Sequence, residues 1–379
     1  MSTKDWSLRI FGSNSSIMNI IVLATASRHG GALSIYRQFL KYLPNYTKDN
    51  KYYLFIDSSM DQPSIEGVEY IFDDNHSWMH RILWDFNGLS KWLKVNHIQA
   101  DVVVSFQNTI SKTKSRQVIY YHNSIPFYPN KWNPFKGKER VMFLYKHIYP
   151  LFVKLSINDK TDIVVQIPYI KKGFVKCFGI NEDRVKVMFP DVEKIDSASV
   201  LVYDFKQGFY HFVYPAIPEP YKEHKTLVYS LSLLKQRNRE LVNKIKIHLT
   251  FAKEDFPNLL RLVEENGLGD NFVFNGRVPY QQILSMYKGS CGLLFPSTIE
   301  TIGLPLLEAA AFGKPIVASD LQYAHEVLND YEGVKYIDHK CYKGWSEAIE
   351  NLCKYEKIYS PIQGKESSWP LFFNLVLNR

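Results

Sequence analysis

Short, unbroken apolar runs constrain this chain more than any other feature. The first, Asn19-Ile20-Ile21-Val22-Leu23-Ala24, is followed by strand-type segments at residues 52–56, 68–72, 101–105, 117–121 and 162–166. Runs of four to six apolar residues without polar alternation suit parallel strands covered on both faces. Residues 32–43 and 78–95 between them have the spacing of amphipathic helices. A second alternating set of strand segments lies at 210–214, 246–251, 271–275, 292–295 and 315–318. Strands alternating with helices predict an α/β fold, here two Rossmann-like domains facing each other across a cleft, where a ligand would bind. The polar stretch 191–199 reads as a linker, which sets the domains at 18–198 and 199–366. Residues 1–17 read as an irregular N-terminal extension, with Met18 a second candidate start. Residues from Ser367 on read as a short terminal helix.

Composition narrows the class. With 379 residues, 46% hydrophobic and 22% charged, the chain can build two ordinary cores, and disorder is excluded as its main state. No apolar run is long enough for a membrane span, and the polar, charged start has no signal-peptide pattern. Four scattered cysteines without a C-x-x-C pair argue against a zinc cage or disulfide framework and for a reducing cytoplasm. The net charge of +8 is one-sided. Residues 1–199 hold 26 basic and 18 acidic side chains, residues 200–379 hold 20 of each, and residues 101–150 hold 8 against 2. An anionic partner is therefore expected on the N-terminal half.

The stretch that carries chemistry is Phe295-Pro296-Ser297-Thr298-Ile299-Glu300-Thr301-Ile302-Gly303-Leu304-Pro305-Leu306-Leu307-Glu308-Ala309. A strand ends at Phe295, a loop bears Glu300 and Gly303, and a helix begins near Leu304, with Pro305 suited to its first turn. Free amides at that helix start make an anion site, and glycine allows close approach. Glu308, one turn in, can accept two hydrogen bonds from a diol. A plainer role, two glutamates decorating a helix start, stands beside this one.

This run, with Phe312-Gly313-Lys314-Pro315 after it, resembles the Glu-x7-Glu signature of the family-four retaining nucleotide-sugar glycosyltransferases, which have the GT-B fold. Ile302 replaces the aromatic that usually precedes the glycine. The resemblance implies that Glu300 lies against the donor sugar, that Glu308 binds the ribose, and that the amides of Thr301, Ile302, Gly303 and Leu304 hold the diphosphate. The nucleotide-diphosphate sugar is then a substrate, and no cofactor is implied. His122, in Tyr120-Tyr121-His122-Asn123, resembles the family's histidine near the reacting groups; a structural histidine is the alternative. His29-Gly30-Gly31 resembles its glycine loop, with Gly30 and Gly31 approaching the diphosphate. The family's arginine after the first strand of the second domain is absent, since Tyr214 runs into Pro215-Ala216. Its lysine matches Lys222. Lys225 and Arg277 are candidates for the second cation, or ordinary surface residues. The family habit also sends the terminal helix, 367–379, back to the first domain.

The resemblance also implies transfer without a dedicated base, the departing phosphate oxygen taking the acceptor's proton on the same face, so that positioning and electrostatics do most of the work. No Asp-x-Asp pair is present, and metal-independent transfer is expected. Lys131, Trp132, Lys136, Lys138 and Arg140 open a basic, aromatic segment that suits an anionic membrane surface, or else an amphipathic helix with a solvated basic face. The expectation is a cytoplasmic transferase, peripheral on the inner face of the membrane. It would extend a glycan acceptor, polyprenyl-diphosphate-linked, in O-antigen or capsule assembly. The rivals are a catalytically silent sugar-nucleotide binder, a GT-B epimerase or phosphorylase, and a basic nucleic-acid-binding protein. The last lacks every recognisable nucleic-acid motif.

Overall fold

The computed structural model describes residues 17–28, 30–75, 77, 80, 83–191, 195–355, 357–362 and 366–378. The expected N-terminal extension except Ile17, His29 of the glycine loop, and four residues of the helix expected at 78–95 lie outside this set.

Two parallel sheets organise the chain. The first orders seven strands as β3-β2-β1-β4-β5-β6-β7, with β1 Met18–Leu23, β2 Asn50–Ile56, β3 Val68–Phe72, β4 Val102–Ser105, β5 Arg116–Tyr120, β6 Thr161–Val165 and β7 Val185–Val187. The second orders six as β10-β9-β8-β11-β12-β13, with β8 Tyr210–Tyr214, β9 Ile245–Leu249, β10 Phe272–Phe274, β11 Gly292–Phe295, β12 Ile316–Ser319 and β13 Val334–Ile337. The predicted apolar runs fall on strands in every case, shifted by one or two residues at most at their ends. β7 and β13 escape the sequence reading. They are three and four residues long with partly exposed side chains, so they lack the continuous apolar signal. The expected helix at 78–95 closes with a π-turn, Trp84–Gly88, and an α-helix, Leu89–Val95. Gly88 fits there because a Cβ would meet the Trp84 ring at 2.4 Å.

The chain divides into two compact units. One takes the residues up to Tyr120, Ser156–Asp162 and those from Pro370; the other takes Tyr121–Leu155 and Ile163–Trp369. In the first unit the terminal helix Trp369–Leu377 supplies much of the aromatic core. Phe373 stacks on Tyr46 with centroids 4.1 Å apart and on Phe39 at 5.4 Å. Phe372 meets Phe106 and Tyr120 at 6.0 and 5.9 Å. Arg116 caps the helix, donating to the carbonyls of Val376 (3.1 Å) and Leu375 (2.6 Å) while pairing with Asp162 at 2.8 Å. A guanidinium at a helix carboxyl end satisfies carbonyls that have no partner within the helix and faces the negative end of its dipole.

In the second unit, β8 and β11 are adjacent, and their connections leave in opposite directions. That is the topological switch point of an open α/β sheet, where the loops after the strands diverge and leave a crevice.

Candidate functional site

Two loops leave the sheet at this switch point. After β8, Pro215, Pro218 and Pro220 stiffen the path into the turn Pro220–Lys222. The Tyr214 hydroxyl donates to the Lys222 carbonyl at 2.6 Å, which ties the turn to the strand. Glu223 then takes a left-handed conformation (φ 51°), rare for a residue with a side chain, and starts the helix His224–Arg237. After β11 comes the loop with Glu300. Lys222 Nζ stands 2.5 Å from Glu300 Oε1, and both side chains are about seven-eighths buried, at 12% and 13% exposure.

The loop after β11 is held from several sides. Thr298 donates to the Tyr221 carbonyl through its amide (2.8 Å) and its hydroxyl (2.9 Å). The buried Tyr323 hydroxyl donates to the Ser297 carbonyl at 2.7 Å. Gly303 turns the chain at φ 69°, ψ 57° into the helix Leu304–Ala311, which has Pro305 in its first turn. A Cβ at Gly303 would press on the Leu306 tip at 3.3 Å, and the left-handed backbone is what calls for glycine here. Glu308 accepts from the Tyr287 hydroxyl at 3.0 Å. Burial, then the Glu308 charge, holds the Tyr287 phenol well above its usual range, so it stays a donor.

His224 sits beside the lysine turn among Tyr214, Phe251 and Phe256, with ring centroids 4.9, 5.2 and 5.8 Å away. Among the described residues neither of its ring nitrogens has a hydrogen-bond partner. Burial, and then the Lys222 charge, pushes its pKa down to about 3. His248, bonded to His211 at 2.9 Å, is pushed to about 4 by burial and then by His211. Both imidazoles are neutral in the fold, while in the unfolded chain they titrate near 6.5. Below that pH the unfolded state binds more protons, so stability is full above pH 6.5 and falls as the pH drops toward the folded values. Between pH 6.5 and 5 each histidine costs on the order of 2 kcal/mol. Denaturant titrations at pH 7 and 5 should show a smaller loss for His224→Phe than for wild type; an equal loss would mean that His224 is not held neutral.

The other expected site residues are spread more widely. Lys225 is half exposed and pairs with Glu223 at 3.2 Å. Arg277 is exposed and follows β10, two strands from β8 in the sheet order. His122 lies just past β5, in the same unit as the Glu300 loop. Gly30 (φ 60°) and Gly31 open the helix Gly30–Tyr42 after β1 in the other unit, and nothing lies within 4 Å of a Cβ placed on either.

The basic segment divides by exposure and by partner. Lys138 is engaged within the protein, donating to the Pro218 carbonyl (2.9 Å) and pairing with Glu219 (3.3 Å). Lys146 donates to the carbonyls of Tyr128 (2.7 Å) and Asn130. Lys131, Lys136 and Arg140 are exposed, and Trp132 is half-buried. Along the helices Gly137–His147 and Tyr149–Ser156, Val141, Leu144, Ile148, Leu151 and Leu155 are all exposed. They recur at steps of three and four residues, so they form one exposed apolar stripe beside the basic and aromatic residues.

The sequence reading also missed Tyr128, Asn130, Tyr287 and Tyr323. Each acts through a hydroxyl or amide on a residue distant in the chain, which no local motif announces.

Residues 203–362 match the family model described as glycosyl transferases group 1. The O-antigen chain mannosyltransferase RfbU of Salmonella typhimurium is 24% identical over 239 residues, covering 62% of this chain and 60% of the relative. The D-inositol 3-phosphate glycosyltransferase of Paenarthrobacter aurescens is 24% identical over 218 residues, covering 55% and 52%. The matched stretch thus spans only a little over half the length of these relatives. Among solved structures, WaaG, a glycosyltransferase involved in lipopolysaccharide biosynthesis, aligns with a TM-score of 0.64 at 14% identity over 89% of this chain and 91% of that one. A glycosyltransferase from Rickettsia africae aligns at 0.62 with 16% identity, over 89% and 88%. At these identities the likeness is one of fold, and the fold is GT-B.

Proposed function

We propose that this chain, whose residues 203–362 are a group 1 glycosyltransferase domain, is a retaining transferase that moves a sugar from a nucleotide-diphosphate donor to a glycan acceptor. The observation that carries this reading is the Lys222–Glu300 pair at the switch point of the second sheet, on the loop that continues into the Gly303 helix start and Glu308. In this reading Lys222 and the amides of Thr301–Leu304 take the diphosphate. Glu300 holds a donor-sugar hydroxyl, and Glu308 takes the ribose diol. The bond from the anomeric carbon to the phosphate oxygen breaks as the bond to the acceptor oxygen forms. The acceptor's proton passes to the departing phosphate oxygen, on the same face. Lys222 offsets the charge that develops on that oxygen, and no metal or cofactor takes part. The family resemblance assigns His122 to the reacting groups and Gly30 and Gly31 to the diphosphate.

The mannosyltransferase name of RfbU makes a mannosyl donor the first to try. The acceptor is a polyprenyl-diphosphate-linked glycan of surface-polysaccharide assembly, met by an enzyme peripheral on the cytoplasmic face of the membrane. The exposed apolar stripe from Val141 to Leu155, flanked by Lys131, Lys136 and Arg140, supports that placement. Among the described residues no helix is long and apolar enough to cross a membrane. Replacing Leu144, Ile148 and Leu151 together by serine should reduce cosedimentation with anionic vesicles at least about tenfold, from roughly 1 to 2 kcal/mol of apolar burial per side chain. Undiminished binding would move the contact elsewhere.

The donor assignment is tested by titration calorimetry with nucleotide sugars and nucleoside diphosphates. Glu308→Ala should weaken affinity about tenfold or more, because two hydrogen bonds to a carboxylate are lost. Tyr287→Phe should weaken it severalfold by freeing the carboxylate. Equal affinity in the wild type and both variants would remove Glu308 from the ribose. The missing arginine after β8 favours one second reading, a sugar-nucleotide binder without turnover, and donor hydrolysis by the wild type would exclude it.

A further inference from the structure

The Glu300 loop is also fastened from the side of the His122 loop. The Tyr128 hydroxyl donates to the Glu300 carbonyl at 3.1 Å and accepts from the Glu300 amide at 3.4 Å, so one phenol engages both main-chain groups of a candidate catalytic residue. Two residues on, Asn130 Nδ2 donates to the Thr298 hydroxyl at 3.3 Å. Tyr128 is 3% exposed, its ring 5.3 Å from that of Tyr169 and 6.5 Å from that of Tyr323. Lys146 grips the carbonyls of Tyr128 and Asn130 from behind. The arm is therefore firm at its base, and its tip touches the loop at two points.

A carboxylate 2.5 Å from its lysine is only as well placed as the backbone beneath it. The opposite edge of this loop is pinned to Tyr221 through Thr298. Without the Tyr128 hydroxyl, the Glu300 main chain loses both of its bonds to the arm while every ring contact remains.

We propose that Tyr128 is a positioning residue, with Asn130 as its support. By clamping the Glu300 main chain it sets the carboxylate toward Lys222 and registers the Glu300 loop against the loop that carries His122. This rests on the glycosyltransferase reading above. It adds that the Glu300 carboxylate is aligned, through its backbone, by one tyrosine hydroxyl.

The test compares wild type with Tyr128→Phe and Asn130→Ala, by hydrogen exchange and by steady-state kinetics. Exchange of the segment 296–303 should quicken about tenfold in Tyr128→Phe and less in Asn130→Ala, with β8 and β9 unchanged. The kcat for transfer should fall roughly 10- to 100-fold in Tyr128→Phe, as expected when a reacting group is displaced by a fraction of an ångström to an ångström, with donor KM within about twofold and the melting temperature unaltered. Unchanged exchange would remove the clamp. Faster exchange with unchanged kcat, or a kcat loss matched by a fall in melting temperature, would overturn the positioning role. A wild-type chain that neither binds nor turns over any nucleotide sugar would overturn the functional reading instead, and the exchange measurement would still decide on the clamp.

Discussion

Lys222→Ala is expected to slow glycosyl transfer about 100- to 1,000-fold, the range found when a preorganised donor to developing charge is removed. The Lys225→Ala variant should stay within about threefold of wild type. The contrast follows from placement. Lys222 is held by the Tyr214 hydroxyl and by prolines on a short turn, is largely shielded from water, and faces Glu300. Lys225 is half in solvent and already paired with Glu223, so its charge is screened. Removing Lys222 also strands a mostly buried carboxylate, which should lower stability by about 2 kcal/mol, less than for a fully buried pair. The double variant Lys222→Ala/Glu300→Gln should recover part of that stability and none of the rate. Single-turnover rates and denaturant midpoints on the same preparations measure both. If Lys225→Ala proved the more damaging, the phosphate contact would belong to Lys225.

The largest effect on stability is expected in the other compact unit. Phe373 is fully buried in the terminal helix, stacked between Tyr46 and Phe39. Phe373→Ala should cost about 3 to 5 kcal/mol, the sum of lost transfer energy and a cavity that rigid aromatic neighbours do not close. The Arg116 cap adds to this, because a loosened helix withdraws the Val376 and Leu375 carbonyls from the guanidinium. A denaturant midpoint unchanged by Phe373→Ala would mean that the terminal helix contributes little to the fold.

Much of this architecture was legible in the sequence because parallel strands buried on both faces write themselves as continuous apolar runs. Ile20 to Leu23 and Leu293 to Phe295 are fully buried. The Glu300 to Glu308 stretch was legible for a different reason. A left-handed glycine, a first-turn proline and a glutamate one turn in are local demands of one loop-to-helix transition, met by neighbouring residues. β7 and β13 were not legible, since short edge strands with half-exposed side chains carry no unbroken run. Nor was the engagement of Lys138 with Glu219 and Pro218, because a lysine in a basic stretch looks the same whether it faces solvent or reaches back to the protein.

The amino-acid sequence by itself determined two parallel sheets, the loop that bears Glu300, Gly303 and Glu308, and the excess of positive charge in the first half. Each is a matter of residue type and short-range spacing. Only the tertiary structure decided which lysine meets Glu300, that His224 is kept neutral in an aromatic box, and that Tyr128 and Asn130 reach the loop they clamp. Those outcomes depend on which strands become neighbours at the switch point. Tyr128 and Glu300 are separated by 172 positions, and no spacing along the chain records a contact that only burial and sheet order create.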